Sequence, residues 1–167
     1  MNFFRHVMRP VLLVSMLSSG AHAQYPAVSS SNLKFFNKIC DPTVMVMPEP
    51  YVHDEAREKT IKTYIRSALN KAKIPIIEEG KCSDNDLRLY ATIMLMDVKV
   101  LGKDGVRYFV YLSAAPMKYK GLDEPLIFQH GREEIAVNTS FAFKEAELFL
   151  KGTTDMIFIP VWKDLHR

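Results

Sequence analysis

The stretch LRLYATIMLMDVKVL-GKDG-VRYFVYLSAAPMKY, residues 87–119, decides the fold of this chain. Two runs rich in β-branched and aromatic residues, 87–101 and 106–119, flank a short turn that holds two glycines and an aspartate. A turn of this kind between runs of this kind predicts a β-hairpin. The first arm alone would measure about 50 Å if fully extended at ~3.3 Å per residue. Since few strands are that long, we expect a bend or a β-bulge near the middle.

The hairpin is apolar on both of its faces. Residues 91–96 (ATIMLM) and 108–112 (YFVYL) lack the alternation of apolar and polar residues that a sheet with helices on one face would show. The second face therefore needs its own cover, for which the candidates are the segment around Phe35 and Phe36, residues 157–162, a second subunit, and a partner or lipid. Exposed apolar patches mark interfaces, and methionines pack adaptably in them. The residues that we expect to form an interface are Tyr90, Met94, Met96, Tyr108 and Tyr111.

Residues 1–23 have the pattern of a secretory signal peptide. Arg5 and Arg9 precede an apolar run at 11–17, and the small-residue motif AHA at 21–23 predicts cleavage before Gln24. The apolar run is too short to span a bilayer. Because no cysteine follows the cleavage site, we expect no lipid anchor. The sequence predicts a periplasmic or secreted protein with no transmembrane segment after cleavage.

The remaining chain has the length of one domain, with residues 24–41 as an entry segment and 42–167 as a single α+β domain. The full chain has 22 Lys and Arg against 19 Asp and Glu, so loss of Arg5 and Arg9 leaves 20 against 19. The two signs of charge are interleaved along the chain. This composition argues against a nucleic-acid partner.

A strand, helix and strand precede the hairpin. Residues 44–47 (VMVM) form a short apolar run, and residues 54–73 repeat apolar side chains at the spacings of three and four that indicate a helix with Asp54 as its N-cap. Pro75 ends the helix, and residues 74–77 follow as a second strand. We expect these two strands to be parallel and joined by a right-handed crossover.

A third meander strand and a helix complete the predicted fold. Residues 126–137 are polar enough for an edge strand, with Arg132, Glu133 and Glu134 in the run. A second helix begins near Phe141, capped by Asn138. Residues 156–159 are either the end of that helix, which we favour, or a short strand. The predicted class is α+β: a strand-helix-strand crossover, a three-strand antiparallel meander and a C-terminal helix, in one mixed sheet with helices on one face.

The order of elements resembles small exported modules of the bacterial envelope, namely the amino-terminal domain of TolB and the lipopolysaccharide-assembly lipoprotein. The features that carry the resemblance are VMVMP at 44–48, KIPII at 73–77, DLRL at 86–89 and the closing aromatic helix. The resemblance implies a scaffold or assembly role rather than catalysis, and it transfers no functional residue. This chain departs from the lipoproteins because it lacks their lipidated cysteine.

Cys40 and Cys82 are the two cysteines of the chain. Export to an oxidising compartment favours a disulfide between them. The predicted parallel pairing of residues 44–47 with residues 74–77 opposes it, because the two cysteines would then lie at opposite ends of the sheet. Both states, a disulfide and two buried thiols, remain open at this point.

No recognised catalytic or metal motif is present. His130 and Glu133 lie close in sequence, as do His53 and Glu55, but neither spacing is a known ligand set, and His166 is expected to fray near the C-terminus. The sequence predicts no cofactor and no metal. The leading hypothesis is a non-enzymatic periplasmic binding or envelope-assembly protein whose partner is another envelope protein or a second copy. The alternatives are a small hydrolase or metal-dependent enzyme around His130 and Glu133, and a secreted inhibitor of cystatin type, although no Q-x-V-x-G loop is present.

Overall fold

The computed structural model describes residues 30–48, 53–119, 122–123 and 126–167. The predicted signal peptide lies outside these residues. In chain order the elements are a 3-10 helix (Ser30–Phe35), β1 (Ile39–Cys40), β2 (Thr43–Met47), α1 (Glu55–Lys71), β3 (Ile76–Ile77), a 3-10 turn (Glu79–Lys81), β4 (Arg88–Val100), β5 (Lys103–Ala115), β6 (Lys118–Tyr119), β7 (Leu122–Asp123), β8 (Phe128–Ala136), α2 (Thr139–Thr153), a π-helical turn (Thr154–Phe158) and α3 (Ile159–Leu165).

The predicted hairpin is formed by β4 and β5. They pair in unbroken antiparallel register from Arg88 opposite Ala115 to Val100 opposite Lys103, so the expected bulge is wrong. The turn consists of two residues, Leu101 and Gly102, which both have positive φ, 51° and 78°. A two-residue turn with this backbone matches the twist of the flanking strands, which lets both arms stay paired along their full length.

The main sheet has the strand order β2-β4-β5-β8, in which β2 is parallel to β4 and the other pairs are antiparallel. The predicted α+β class, with a mixed sheet, a three-strand meander and a C-terminal helix, is confirmed. The predicted pairing of residues 44–47 with residues 74–77 is wrong, because β3 pairs with β1 in a separate two-stranded sheet. Strand β4 takes the place beside β2, where Ala91 and Ile93 bury their side chains next to Val44 and Val46.

Helix α1 closes the free edge of β2. The backbone N–H of Val46 donates to Glu58 Oε1 at 2.9 Å, and the N–H of Asp54 donates to Val46 O at 2.9 Å. Asp54 is also the N-cap of α1, as predicted, since its carboxylate accepts from the Arg57 N–H at 3.1 Å. The groups of Val46 that would otherwise pair with another strand are therefore occupied.

Helices α1 and α2 cover one face of the main sheet. Their buried side chains, among them Ile65 of α1 and Ala146 and Leu150 of α2, join Ile93 and Leu112 of the hairpin in one hydrophobic core. Asn138 caps α2 as predicted, because its side chain accepts from the Phe141 N–H at 2.9 Å.

The C-terminal stretch is helical, which confirms the prediction for residues 156–159. A π-helical turn joins α2 to α3 just before Pro160. Proline has no backbone N–H to donate to a helical hydrogen bond, and the wider π-helical turn accommodates it. Phe158 and Trp162 are 0% and 4% exposed, and Phe158 meets Phe128 edge to face at 5.2 Å. This stretch therefore belongs to the helix side of the sheet.

Within the entry segment, the described residues 30–41 also pack on the helix side. Leu33 and Phe36 are buried, whereas Phe35 is 53% exposed. The expectation that His166 frays is wrong: its ring stacks on Trp162 at 4.4 Å, and its Nε2 lies 2.8 Å from Phe36 O. The 3-10 helix and α3 therefore pack against each other.

Cys40 and Cys82 form a disulfide, with their Cα atoms 5.9 Å apart. The two cysteines are not at opposite ends of a sheet, because β3 pairs with β1 and places Ile77 opposite Cys40. The turn Glu79–Lys81 then folds the chain back and brings Cys82 to the same place.

Candidate functional site: the outer face of the sheet

The candidate site is the face of the main sheet that points away from the helices, which we term the outer face. Burial alternates along β2 and along β4 from Arg88 to Met96, so that every second residue enters the core and the others point outward. The outward side chains include Thr43, Met45 and Met47 of β2, Arg88, Tyr90, Thr92, Met94 and Met96 of β4, Arg107, Phe109, Tyr111 and Ser113 of β5, and Gln129, Glu133 and Ile135 of β8.

In two rows of the outer face, methionines lie on β2 and β4 and aromatic rings lie on β5, while a third aromatic ring, that of Tyr90, lies on β4. One row across the sheet places Met47 beside Met94 and Met94 beside Phe109, and the next row places Thr92 between Met45 and Tyr111. The β2 and β4 half therefore carries four methionines, and the β5 half carries the two aromatic rings at the same height. Hydroxyl groups of Thr43 and Ser113 flank Tyr90 in a third row.

The Tyr111 ring of β5 extends over β8 at Gly131, a position without a side chain. Gly131 pairs with Tyr111, and a Cβ added to Gly131 would lie 2.8 Å from Val110 O and closer still to the Tyr111 ring. The ring thus occupies the space that a side chain at position 131 would fill. An aromatic ring over a strand glycine keeps water from the bare backbone and joins the two strands.

An ion pair borders the aromatic half. Arg107 of β5 and Glu133 of β8 are hydrogen-bonded to each other, and the Arg107 guanidinium lies 5.2 Å from the centre of the Phe109 ring. The two charges compensate each other at the margin of the face. Ile135, which is 58% exposed, extends the apolar surface past this pair.

No described element covers the outer face. The methionines and aromatic rings of the face are half-buried. The described parts of both intrachain candidates for a cover, the segment around Phe36 and the stretch around Phe158, pack with the helices instead. An apolar sheet face that none of the described elements covers is typical of an interaction surface.

Four of the five predicted interface residues lie together on this face: Tyr90, Met94, Met96 and Tyr111. Tyr108 does not, because the strand alternation sends it to the helix side, where it is 1% exposed. Its hydroxyl donates to Glu134 Oε2 at 2.9 Å and accepts from Arg132 Nη2 at 2.7 Å. Burial and the hydrogen bond to Glu134 raise the pKa of Tyr108 against the opposing effect of Arg132.

Met45, Met47 and Phe109 also belong to the face, although the sequence-based interface did not include them. The alternation in TVMVM, residues 43–47, already indicates that the valines and the methionines point to opposite sides. What the sequence alone did not provide is the neighbour of β2. Only the parallel pairing with β4 places these methionines next to Met94.

The structure does not bring His130 and Glu133 together. His130 is half-buried on the helix side of β8, where its ring stacks on Phe149 at 5.4 Å, whereas Glu133 is on the outer face with Arg107. His53 pairs with Glu58 at 2.8 Å beside the start of α1. Within the described ranges, no three side chains of His, Cys, Asp or Glu converge as a metal site would require.

A second, polar feature lies between the helices. A groove of ≈ 440 Å³ runs between α1 and the C-terminal helical turns and is lined in part by Tyr64, Asp155 and Lys163. The Tyr64 hydroxyl donates to Asp155, and burial together with this hydrogen bond raises the pKa of Tyr64 to about 12. The interaction joins α1 to the π-helical turn, which gives it a structural role.

Comparisons with known proteins give only distant similarity. No family model matches the sequence, and no curated protein matches it either. A solved structure described as a homolog of a neuraminyllactose-binding hemagglutinin from Helicobacter pylori is 12% identical, with a TM-score of 0.40 over 76% of this chain and 83% of its own.

Two further similar structures are bacterial lipoproteins. The minor lipoprotein from Acinetobacter baumannii is 10% identical, with a TM-score of 0.38 over 78% of this chain and 95% of its own. Rare lipoprotein B from Shewanella oneidensis is 14% identical, with a TM-score of 0.30 over 74% of this chain and 92% of its own. Their functions are not transferred to this chain. Among the residues that the structure describes, no helix is both long and apolar enough to cross a bilayer.

Proposed function

We propose that this protein is an exported, non-enzymatic accessory protein of the bacterial envelope that binds another protein surface through the outer face. The observation that carries the proposal is the set of methionines and aromatic rings on β2, β4 and β5, which none of the elements that the structure describes covers. Leaving such a surface in water is unfavourable by about 25 cal/mol per Å² of apolar area, so a partner that covers it gains that free energy.

The shape of the outer face favours a protein partner over a small molecule. Small-molecule sites are concave and surround most of their ligand, whereas a sheet face is broad and nearly flat. Polar groups are placed among the apolar ones, with the hydroxyls of Thr43, Thr92 and Ser113 inside the face and the pair of Arg107 and Glu133 at its margin. Protein interfaces contain such polar groups among apolar ones, whereas a surface that enters lipid is more uniformly apolar.

Two further observations support a location outside the cytoplasm. The disulfide between Cys40 and Cys82 belongs to an oxidising compartment. Residues 1–23 have the pattern of a cleaved leader. The separation of His130 from Glu133 supports a binding role over the alternative of a hydrolase built on that pair.

Site-specific photo-cross-linking in cells that export the chain tests the proposal. A photoreactive amino acid replaces Met96 on the outer face in one variant and Met156, which is 78% exposed on the π-helical turn, in a matched control. We expect a discrete protein adduct from position 96 and none from position 156. Equal adducts from both positions, or none from position 96, would contradict a binding role for the outer face.

A further inference from the structure

We infer that the tip of the hairpin formed by β4 and β5 enters the interface of a phospholipid bilayer, with Leu101 as the inserted side chain. The inference goes beyond the proposed function, because the tip lies past the end of the outer face. It follows from three features: the hairpin projects beyond its neighbours, a leucine is exposed at a backbone position that does not suit it, and further exposed apolar side chains lie at the same end of the sheet.

The hairpin projects beyond both neighbouring strands. On one side β2 ends at Met47, opposite Met94, and on the other side β8 ends at Ala136, opposite Val106. Residues 98–105 therefore have no described strand beside the hairpin. From Val106 the hairpin continues for about 13 Å to the turn, at ~3.3 Å per residue. The turn is thus the most distant point of this end of the sheet.

Leu101 gains almost no burial in the folded chain. It is the first residue of the two-residue turn, and its side chain is 99% exposed. Its φ of 51° lies in the left-handed region, which is unfavourable for a residue with a bulky side chain. Asparagine followed by glycine is the preferred pair for such a turn. A leucine that weakens the turn without packing on the fold indicates a role outside the fold, since local rules are broken mainly at functional sites.

A second apolar group lies behind the tip. Val137 and Phe141, which are 77% and 48% exposed, connect β8 to the first turn of α2. The register of β5 with β8, continued by one residue, puts Val137 level with Gly105, and both line one groove. This level is about 10 Å behind Gly102 at ~3.3 Å per residue. Interfacial apolar groups enter a bilayer by ~5–10 Å, so Leu101 reaches the acyl boundary when Val137 meets the headgroups.

Two lysines flank the tip at the level of the headgroups. Lys99 and Lys103 are each two residues from Leu101, and both are exposed. The stem of a lysine is apolar, and its ammonium group can contact lipid phosphates while the leucine lies deeper. Asp104 is opposite Lys99 in the register and compensates one of the two charges. Insertion of the leucine, rather than charge, is therefore the larger contribution to binding.

Shape and area favour a bilayer over a folded partner. The tip is convex and two strands wide, whereas small-molecule sites are concave and stable protein interfaces bury ~800 Å² on each partner. One fully exposed leucine and two partly exposed apolar side chains offer far less area than that. A fluid lipid interface closes around a narrow projection and needs no preformed pocket. The bilayer is therefore the occupant that these residues fit.

Sedimentation of the purified, leader-free chain with phospholipid vesicles tests the inference. The vesicles contain phosphatidylethanolamine, with phosphatidylglycerol as the minor lipid. We expect the wild-type chain to sediment with them, and Leu101→Asn to lower the ratio of bound to free protein about 10-fold, since one leucine side chain leaves the interface. Met156→Asn is the matched control, because Met156 is 78% exposed at the other end of α2, and it should leave binding unchanged.

The substitution Leu101→Asn should also raise the urea midpoint of unfolding, because asparagine suits the turn better than leucine. Opposite effects on stability and on binding distinguish a functional leucine from a structural one. A lower midpoint would contradict the conflict between Leu101 and the turn.

Three results of the sedimentation assay would overturn the insertion. The first is a wild-type chain that stays in the supernatant at every lipid concentration, and the second is equal binding of the wild type and Leu101→Asn. The third is loss of binding in about 1 M salt, where charges are screened beyond ~3 Å, because that would show adsorption through the lysines alone.

Fluorescence locates the inserted residue. The chain has one tryptophan, Trp162, which is 4% exposed in the core. In Leu101→Trp we expect the emission from position 101 to shift to shorter wavelength with vesicles and to be quenched by brominated lipid, whereas wild-type emission should not change. An unchanged spectrum of the variant would overturn the insertion. A photoreactive amino acid at position 101 that gives a discrete protein adduct in cells would replace the bilayer by a protein, and it would leave the proposed function of the outer face unaffected.

Discussion

The Tyr111 ring fills the space over the backbone of Gly131, its pairing partner on the neighbouring strand. A Cβ at position 131 would collide with this ring and would lie 2.8 Å from the carbonyl oxygen of Val110. Because one of these neighbours is backbone, the collision cannot be relieved by a side-chain rotation alone. The relationship ties the edge strand β8 to the centre of the outer face.

We expect Gly131→Ala to lower the free energy of unfolding by about 1–3 kcal/mol, since an added methyl group forces the ring and the strand apart. Urea denaturation followed by circular dichroism measures the change. Gly152→Ala is the matched control, because nothing lies within 4 Å of a Cβ at that position in α2 and alanine favours helix. It should raise stability by up to about 1 kcal/mol. Equal effects of the two substitutions would contradict the contact.

The disulfide should contribute strongly to stability. It closes a loop with a sequence separation of 42 residues, and the chain-entropy model gives about 4 kcal/mol for a loop of that length. We therefore expect the double variant Cys40→Ser, Cys82→Ser to unfold at markedly lower urea concentration than the oxidised wild-type chain. A reductant should destabilise the wild type and leave the double variant unaffected. A reductant without effect on the wild type would contradict the bond.

The pKa of Tyr64 predicts a loss of stability in strong base. Its folded value of about 12 lies above the model value of 10.0, so the protonated phenol is favoured in the folded state. This contribution is complete below the unfolded pKa of about 10 and disappears as the pH rises through about 12. In an absorbance titration of tyrosinate, Tyr64→Phe should remove a phenol that ionises near pH 12.

Asp155→Asn provides the companion measurement for Tyr64. The substitution removes the carboxylate that accepts the phenolic proton, so the pKa of Tyr64 should fall, while the part of the rise that comes from burial remains. An unchanged titration in this variant would show that Asp155 does not stabilise the protonated phenol.

The sequence predicts local features of this fold well. The helical spacing of α1, its Asp54 cap and the Asn138 cap of α2 depend on residues a few positions apart, and all three are present. The apolar character of both faces of the hairpin was likewise readable from residues 91–96 and 108–112. The same alternation that places Met94 and Tyr111 outside also puts Tyr108 in the core, a consequence of strand phase that the choice of Tyr108 for the interface overlooked.

Long-range pairing is what the sequence did not provide. Whether β3 joins β2 or β1 depends on which strand lies beside β2, and the much longer β4 takes that place. The pairing of β3 with β1 makes the disulfide possible, because it places Ile77 beside Cys40 and the turn that follows β3 brings Cys82 back to Cys40. It also decides the candidate site, since Met45 and Met47 join the outer face only through β4.

Methionine oxidation read by mass spectrometry tests the central claim, that the outer face is open in the single chain and covered in its complex. Met156, which is 78% exposed, is the internal reference. In purified protein, we predict that hydrogen peroxide oxidises Met45, Met47, Met94 and Met96, and that their rates relative to Met156 fall when the protein is returned to envelope extract. Protection of these four methionines at every dilution would show that the chain covers its own outer face and would contradict the account.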